Sequence, residues 1–425
     1  MNMKNKYIAF LCCLAAVLPG CRMKDTKTHT YIPYVASVLA DTTSREFSLV
    51  SAFDIEDNTG TIAVIGEPED VIRMTEALLT ADSHNNVDGR GASDHLPDFA
   101  GETISPIIDL ANYPYEDYKK LSNTAFLREV GVRNFLFAMD TTALVSPYDT
   151  LHSVRKVAAK AVIYASTTAG IYGFADADTL VRVINPSLTV LSALDVMVDK
   201  AREKSDTVLI WTTAEKAAEG IYGDYFAAEG YPARLRERGE SGAVKYRVFA
   251  SHPDSLRDDG SLKGRVLDLL DKYMMLPQYG KIHSVVLDDR SISPAELQKV
   301  IDDLLQDDED YMLVYRNLLA PDCECIWAEK AVSELLYSKM RQVNSFSHKI
   351  AYPSMKGYVT LPSASLPQSV YGVDGSLSYG FKYGRESNSS RNTYTFVEMR
   401  DRYISETLME YMADNAPATF ALYVR

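Results

Sequence analysis

The amino-acid sequence predicts an α/β protein made of two successive Rossmann-like lobes with mainly parallel sheets. Three observations carry that expectation. From about Gly60 onward, short β-branched runs alternate with amphipathic runs of helical length, the order expected of βαβ units. Strand-like runs such as Val208-Leu209-Ile210 and Val285-Val286-Leu287 are apolar throughout, which suits strands covered on both faces. The alternation restarts after Gly230 to Ala243, where Pro232, Gly239 and Gly242 among charges read as a crossover. The lobes are therefore placed at 44–235 and 236–425.

In chain order, Thr61 to Ile65 reads as a strand. Gly66-Glu67-Pro68 then opens a helix to about Thr80, with Pro68 near a first position where a missing N–H costs nothing. Next come helix Thr124 to Met139, strand Ala161 to Ala165, helix Gly170 to Ile184, strand Leu188 to Leu191 and helix Ala193 to Lys204. Strand Thr207 to Trp211 and helix Ala214 to Ala228 close the first half. The second half reads as strand Tyr246 to Ala250, helix Leu262 to Met275, strand Ser284 to Leu287, helix Pro294 to Leu305 and strand Tyr311 to Tyr315. Helix Ile326 to Arg341, strand Lys349 to Tyr352, helix Phe396 to Ala413 and strand Thr419 to Val424 complete it. No short-period repeat is present, which argues against a solenoid.

Two stretches break the rhythm, Asp82 to Lys119 and Pro362 to Tyr394. Loops this long inside a compact domain are uncommon and usually functional or disordered. The formal charge of −14 argues against nucleic acid, whose binders cluster Lys and Arg, and against broad docking onto anionic lipid.

The N-terminus has three zones: a positive start at Lys4 and Lys6, twelve apolar residues from Tyr7 to Leu18, and Leu18-Pro19-Gly20-Cys21. The apolar run is shorter than the roughly 20 residues of a spanning helix and suits a secretory signal. The ending resembles the lipobox of bacterial lipoproteins, with Gly20 before Cys21 and Leu18 at the aliphatic position; Pro19 departs from that pattern. The resemblance implies removal of residues 1–20, lipid modification of Cys21, and an envelope location in the periplasmic or cell-surface leaflet. Residues 21–43 are polar without a period and read as a tether. Only Cys323 and Cys325 then remain in the body, so no disulfide framework is expected.

Three groups of residues could carry chemistry. The first is the run from His84 to Glu102, whose Asp88, Arg90, Asp94, His95, Asp98 and Glu102 could contact a ligand, ligate a divalent metal together with His84 and waters, or supply a carboxylate pair for acid–base work. No known metal spacing is matched, and the same residues make local turns. The second follows from the fold, because open α/β sheets bind ligands outside the carboxyl ends of their strands. There the sequence places Ser166-Thr167-Thr168, Ser192, Thr212-Thr213, Ser251-His252, Asp288-Asp289-Arg290 and Arg316-Asn317. Thr167, Thr212, His252, Asp288, Arg290 and Arg316 are the ligand candidates. The hydroxyls could equally cap the next helix, and the arginines could pair with Asp288 or Asp289. The third is Cys323-Glu324-Cys325, which lacks a second pair for zinc and the two-residue spacing of redox proteins.

There is no Gly-x-Ser-x-Gly elbow, no Gly-x-x-x-x-Gly-Lys loop and no strand followed by Gly-x-Gly-x-x-Gly, so no cofactor is implied. Two α/β halves behind a lipoprotein signal resemble, in element order over Gly60 to Arg425, lipid-anchored solute-binding proteins of the type I periplasmic class. That resemblance implies a small polar ligand held between the lobes. An envelope hydrolase or isomerase using the Asp88 to Glu102 loop is the alternative, and a structural component with an envelope protein partner a third reading. Membrane contact is expected through the Cys21 lipid only.

Overall fold

The computed structural model describes residues 30–227, 245–250, 261–276, 280–373, 375–387 and 393–424. Cys21, His252 and the expected crossover Gly230 to Ala243 lie outside the described residues. No helix among those described is long and apolar enough to cross a membrane.

The protein is a mixed α/β structure with two mainly parallel sheets. The first lobe begins with α1 (Pro33–Ala40) and α2 (Arg45–Ser51), followed by β1 (Thr61–Gly66), α3 (Pro68–Thr80), β2 (Thr103–Ile108), α4 (Glu116–Lys120) and α5 (Thr124–Met139). Then come β3 (Thr142–Ser146), β4 (Asp149–Arg155) and β5 (Ala159–Tyr164), a helical turn at Thr167–Ala169 that passes through a π-bulge at Gly170–Phe174 into α6 (Ala175–Ile184), β6 (Thr189–Ser192) and α7 (Ala193–Arg202). The second sheet uses β7 (Thr207–Thr212), β8 (Lys245–Ala250), β9 (Ile282–Asp288) and β10 (Leu319–Trp327). Between them lie α8 (Ala214–Ala218), α9 (Ile221–Ala227), α10 (Leu262–Met274), α11 (Pro294–Gln306) and α12 (Leu313–Arg316). After α13 (Ala328–Gln342) the chain returns to the first sheet with β11 (Ser354–Met355), β12 (Tyr358–Pro362), α14 (Tyr379–Gly384) and β13 (Tyr394–Glu398), and ends with α15 (Glu406–Asn415) and α16 (Pro417–Tyr423).

The first sheet has the order β4-β3-β13-β12-β2-β1-β5-β6, with β11 beside β2; the second has the order β10-β9-β7-β8 and is wholly parallel. Strand membership differs from a division at 235/236. Thr207–Thr212, expected in the first half, belongs to the second sheet, and β12 and β13, expected in the second half, pair into the first. One sheet is thus inserted into the other's sequence. Residues 32–43, expected as a polar tether, differ: the segment Pro33–Ala40 is a mostly apolar helix, Val35 and Val38 are buried in the core and the Ile32 N–H donates to Asp176 Oδ1 at 3.2 Å.

Local chemistry explains the helix starts. Ser44, Ser166, Ser192, Thr213, Ser261, Ser293 and Ser405 each accept a backbone N–H from the first turn they precede, satisfying an otherwise orphaned donor. Helices α7 and α13 pack on each other, α13 on α3, and α7 against β9 and β10. The inner face of the second sheet (Val208, Ile210, Val286, Ile326) therefore joins the same core as the first. Its outer face forms a separate core with α10 and α11.

Some elements differ from the sequence expectation for physical reasons. Tyr311 to Tyr315 forms a turn and the short α12 rather than a strand, and the true strand β10 was hidden because Pro321, Asp322 and Glu324 interrupt its apolar run. Strand β2 carries Pro106 while paired on both sides, a position proline usually avoids. Phe396 to Ala413 splits into β13 and α15, and Pro417 starts a terminal helix where a strand was expected. Lys349 to Tyr352 is not a strand; the pairing strands follow it.

Candidate functional site

Each sheet has one point where its winding reverses. In the first, β1 and β5 are neighbours, but the chain leaves β1 towards β2 and β5 towards β6 on the opposite side. In the second, β7 leads to β8 and its other neighbour β9 leads to β10. Connections that diverge this way open a crevice at the carboxyl ends of the strands. Here the residues after both pairs of strands meet.

Glu67 follows β1 and Ser166 follows β5. The Ser166 hydroxyl donates to Glu67 Oε2 at 2.7 Å, and the Tyr115 N–H to Glu67 Oε1 at 3.0 Å. The next residue, Thr167, donates its hydroxyl to Asp288 Oδ1 at 2.9 Å, so one sheet's switch point is bonded to the other's. The third, Thr168, donates to Glu116 Oε1 at 2.7 Å. Three consecutive hydroxyls thus reach three carboxyls on three different elements.

On the second lobe, Asp288 ends β9 and is the hub. Lys216 Nζ lies 3.1 Å from both of its oxygens, the Tyr222 hydroxyl bonds its Oδ2, and the Thr212 hydroxyl donates to its backbone carbonyl at 3.3 Å. The Tyr222 hydroxyl is also 2.7 Å from Thr212 Oγ1. Arg290, two residues on, reaches across to the first turn of α3, where its Nε bonds Asp70 Oδ1 at 2.6 Å and its Nη1 bonds Glu69 Oε2 at 2.9 Å. A further tie runs from Lys119 and Tyr172 of the first lobe to Asp224 on α9.

Burial sets the electrostatics. Withdrawal from water and the nearby Glu116 carboxyl push Glu67 up to about 8, although Arg290 and Ser166 oppose this; it therefore keeps its proton at neutral pH. Burial alone would lower the Lys216 ammonium, but Asp288, Asp70 and Glu116 outweigh it and hold the group above its ordinary value. Burial and the Asp288 carboxyl raise the Tyr222 phenol well above the usual range, so it stays a donor. A proton-bearing carboxyl and an ion-paired one therefore lie on either side of Ser166-Thr167.

A second arm extends along β2 and β12. Asp109, fully buried, accepts from Asn112 Nδ2 at 2.7 Å, the Tyr115 hydroxyl at 2.7 Å, Asn134 Nδ2 at 3.2 Å and the Thr360 hydroxyl. Tyr115 joins the arms, since its N–H serves Glu67 and its hydroxyl serves Asp109. The stretch after β12 closes this side: Arg385 bonds Asn112 Oδ1 at 2.6 Å and the Tyr118 hydroxyl at 2.7 Å, and Asn123 holds the Tyr383 and Arg385 carbonyls.

Of the ligand candidates, Thr167, Thr212, Asp288 and Arg290 are brought together here. Arg316 is not. It lies at the amino end of β10, pairs with Asp308 at 2.6 Å and lines a shallow cleft with Lys281 and Asp302. Asp88, Arg90, Asp98 and Glu102 lie at the amino edge of the first sheet, beyond the end of α3 and before β2, the opposite edge from the switch points. Their partners are other groups of the protein, local for Asp88 and Asp98 and distant in sequence for Glu102. Asp88 accepts the Arg90 N–H, Asp98 accepts the Ser83 and His84 N–H groups and faces His84 Nδ1 at 3.1 Å, and Glu102 is ion-paired with Lys160 at 2.8 Å. No group of three or more His, Cys, Asp or Glu among the described residues could hold a metal ion. Cys323 and Cys325 lie on β10, buried and unlinked, with thiols pushed up to about 12 by burial, which removes the thiolate that redox or nucleophilic chemistry needs. Sequence reasoning passed over Glu67, Asp109, Glu116, Lys216 and Tyr222. Only Glu67 carried a signal, as a charged residue between a β-strand's terminal glycine and a helix-opening proline.

No family model matches the chain, and no curated protein matches it. Among solved structures it is similar to the glutamate racemase of Francisella tularensis (13% identity, TM-score 0.40, covering 78% of this chain and 96% of that one), determined with D-glutamate. It is also similar to a glutamate racemase isoform of Bacillus anthracis (13% identity, TM-score 0.40, 71% and 88% covered) and to the glutamate racemase of Thermus thermophilus (14% identity, TM-score 0.39, 72% and 90% covered).

Proposed function

We propose that this protein takes a small polar molecule where the two switch points meet and moves a proton on it, as an isomerase does. The observation that carries the reading is the Thr167–Asp288 hydrogen bond of 2.9 Å, which joins two crevices of the kind that bind ligands in open α/β sheets. Glu67 supplies a carboxyl that holds a proton near neutral pH, the property a general acid or base needs. Asp288, on the facing sheet, is the second carboxyl. Small-solute binding between the lobes is part of this reading, and proton transfer is the step beyond it. The acid–base role assigned from sequence to the loop at Asp88 to Glu102 passes here to the opposite edge of the sheet. We further propose that the chain is held at the cell envelope by a lipid on Cys21, and that an envelope protein is a partner only if no small molecule binds.

The test is incubation in D2O with a panel of amino acids, hydroxy acids and sugars. Isomerisation by proton transfer washes solvent deuterium into a carbon-bound position, visible by mass spectrometry. We expect incorporation with at least one compound and its loss in Glu67→Gln. A compound that raises the melting temperature but gains no deuterium would leave binding alone and overturn the isomerase reading. Metabolic labelling with a fatty acid, lost in Cys21→Ala, tests the anchor.

A further inference from the structure

Away from the junction, a cleft of about 510 Å³ opens at the amino edge of the second sheet. That volume lies within the roughly 300–1,000 Å³ of small-molecule sites. Its walls come from the last turns of α11, the end of α12, the residue before β9 and the start of β10. Leu305, Leu319 and Pro321 give it apolar surface, and Lys281, Arg316 and Asp302 give it charge.

The fold fixes where these charges stand. The Ile282 N–H donates to the Leu318 carbonyl at 2.8 Å, which sets Lys281 beside the chain leaving α12. Gln298 is clamped to β10: its Oε1 accepts the Cys325 N–H at 2.7 Å and its Nε2 donates to the Cys323 carbonyl at 3.2 Å. The same Nε2 holds Asp302 Oδ1 at 2.9 Å. The Asp302 carboxylate is thus oriented before any ligand arrives, which cuts the ordering cost of binding.

Opposite charges share this cleft without cancelling. Among the described residues neither Lys281 nor Asp302 has an ion-pair partner, so the two do not pair with each other. Arg316 bonds Asp308 at 2.6 Å, but the Asp308 side chain is 88% exposed. Such a surface pair is worth about 0–1 kcal/mol, little enough to yield to a ligand carboxylate.

This charge pattern selects the occupant. A dicarboxylate or a phosphate would meet Lys281 and Arg316 but also Asp302. A diamine would meet Asp302 but also two cations. A divalent metal ion would find one carboxylate, and no group of three or more metal-binding side chains exists among the described residues. A zwitterion matches both signs. Its carboxylate takes charge-assisted hydrogen bonds from Lys281 and Arg316. Its ammonium faces Asp302 near the carboxyl end of α11, where a helix favours cations. The apolar walls then suit a hydrocarbon side chain.

We propose that this cleft is a second ligand site, separate from the junction, and that it takes an amino acid with an aliphatic side chain as its zwitterion. The proposal stands independently of what the junction does.

The full chain is titrated by calorimetry with L-leucine, and with isocaproate and isoamylamine, which keep the hydrocarbon but carry one charge each. Saturable binding of leucine is expected, with either analogue about tenfold weaker, the loss that follows from removing one charged partner. Lys281→Met and Asp302→Asn change exposed side chains and should each weaken leucine by about the same factor. Glu67→Gln, at the junction, should leave leucine binding unchanged. Leucine binding lost in Glu67→Gln but kept in Lys281→Met and Asp302→Asn would place the ligand at the junction and overturn the proposal. Isocaproate or isoamylamine binding as tightly as leucine overturns it as well, because one charge would then suffice. So does the absence of saturable leucine binding to the unsubstituted chain.

Discussion

The Ser166 hydroxyl bonds Glu67 Oε2 at 2.7 Å across adjacent strand ends whose connections leave in opposite directions. The bond fixes a buried carboxyl, and withdrawal from water together with the nearby Glu116 carboxyl holds its proton to about pH 8 although Arg290 opposes this.

That shift makes stability pH-dependent in a stated direction. Glu67 binds its proton more tightly folded than unfolded, so stability is intact below the unfolded value of 4.5 and falls as pH rises towards about 8. At about 1.4 kcal/mol per unit, the contribution is at most on the order of 5 kcal/mol. Glu67→Gln keeps the Tyr115 N–H bond on its oxygen, reverses the Ser166 bond so that its amide donates to the hydroxyl, and cannot ionise. Urea midpoints at pH 5, 6.5 and 8 should fall for wild type and fall less for the variant. Parallel declines would show that Glu67 is ionised when folded.

Lys156 gives the opposite slope. Its ammonium is buried at the carboxyl end of α5, on the Ala138 and Asp140 carbonyls at 2.7 and 3.1 Å, and over the Phe137 and Tyr358 rings. Burial lowers it to about 7, with Asp140 opposing. The unfolded chain binds this proton more tightly, so the penalty is full below about pH 7 and shrinks as pH rises towards 10.5. The stability of wild type relative to Lys156→Met should therefore improve from pH 7 to pH 10, measured by chemical denaturation. A difference that does not change with pH would place the charge in the folded state throughout.

How much of this was legible follows from where each signal lies. Thr167, Thr212, Asp288 and Arg290 were found because strand ends could be read from short apolar runs, and a rule about strand ends then selected them. Asp109 was hidden because its strand contains Pro106, and Lys216 and Tyr222 because they lie on helices whose turns towards Asp288 depend on tertiary packing. The His84 to Glu102 loop drew notice for its density of carboxyls and imidazoles. Asp98 is consumed by a turn, on the Ser83 and His84 N–H groups, and Glu102 by its buried ion pair with Lys160, and density alone cannot distinguish such structural roles from ligands. The second sheet's insertion was invisible because sequence order does not say which sheet a late strand rejoins.

Arg290 is the latch between the lobes. It holds Asp70 with two nitrogens and Glu69 with a third, while Arg73 donates to its carbonyl at 3.4 Å and pairs with Glu329 at 2.8 Å. Breaking a buried pair by deleting one partner costs about 3–5 kcal/mol. Arg290 keeps 29% of its side chain exposed, so about 2 kcal/mol is expected for Arg290→Ala. Arg290 also holds Glu67 down, and its removal should move the pH-dependent loss of stability to higher pH. Arg290→Lys, with one donor point in place of a fork, should recover the pH position more fully than the stability. A wild-type pH profile in Arg290→Ala would show that the latch does not reach Glu67.

Gly131 and Gly173 let α5 approach the π-bulge at backbone distance. A Cβ on Gly131 would lie 2.7 Å from Gly173 Cα, and one on Gly173 would lie 2.8 Å from Gly131 Cα. Neither glycine has a positive φ, so the cost of alanine is crowding alone. Alanine favours a helix by up to about 1 kcal/mol over glycine, whereas forcing atoms into a packed core costs typically about 1–3 kcal/mol. The obstructing atoms are backbone and cannot swing aside, so crowding wins, and Gly131→Ala should lower stability by about 1–2 kcal/mol net. The two substitutions act on one contact and should be non-additive. Once the first has pushed the elements apart the second costs less, so the double variant should lose clearly less than the two single losses combined. Thermal denaturation of the two singles and the double decides this, and additive losses would mean that the elements do not separate as rigid bodies.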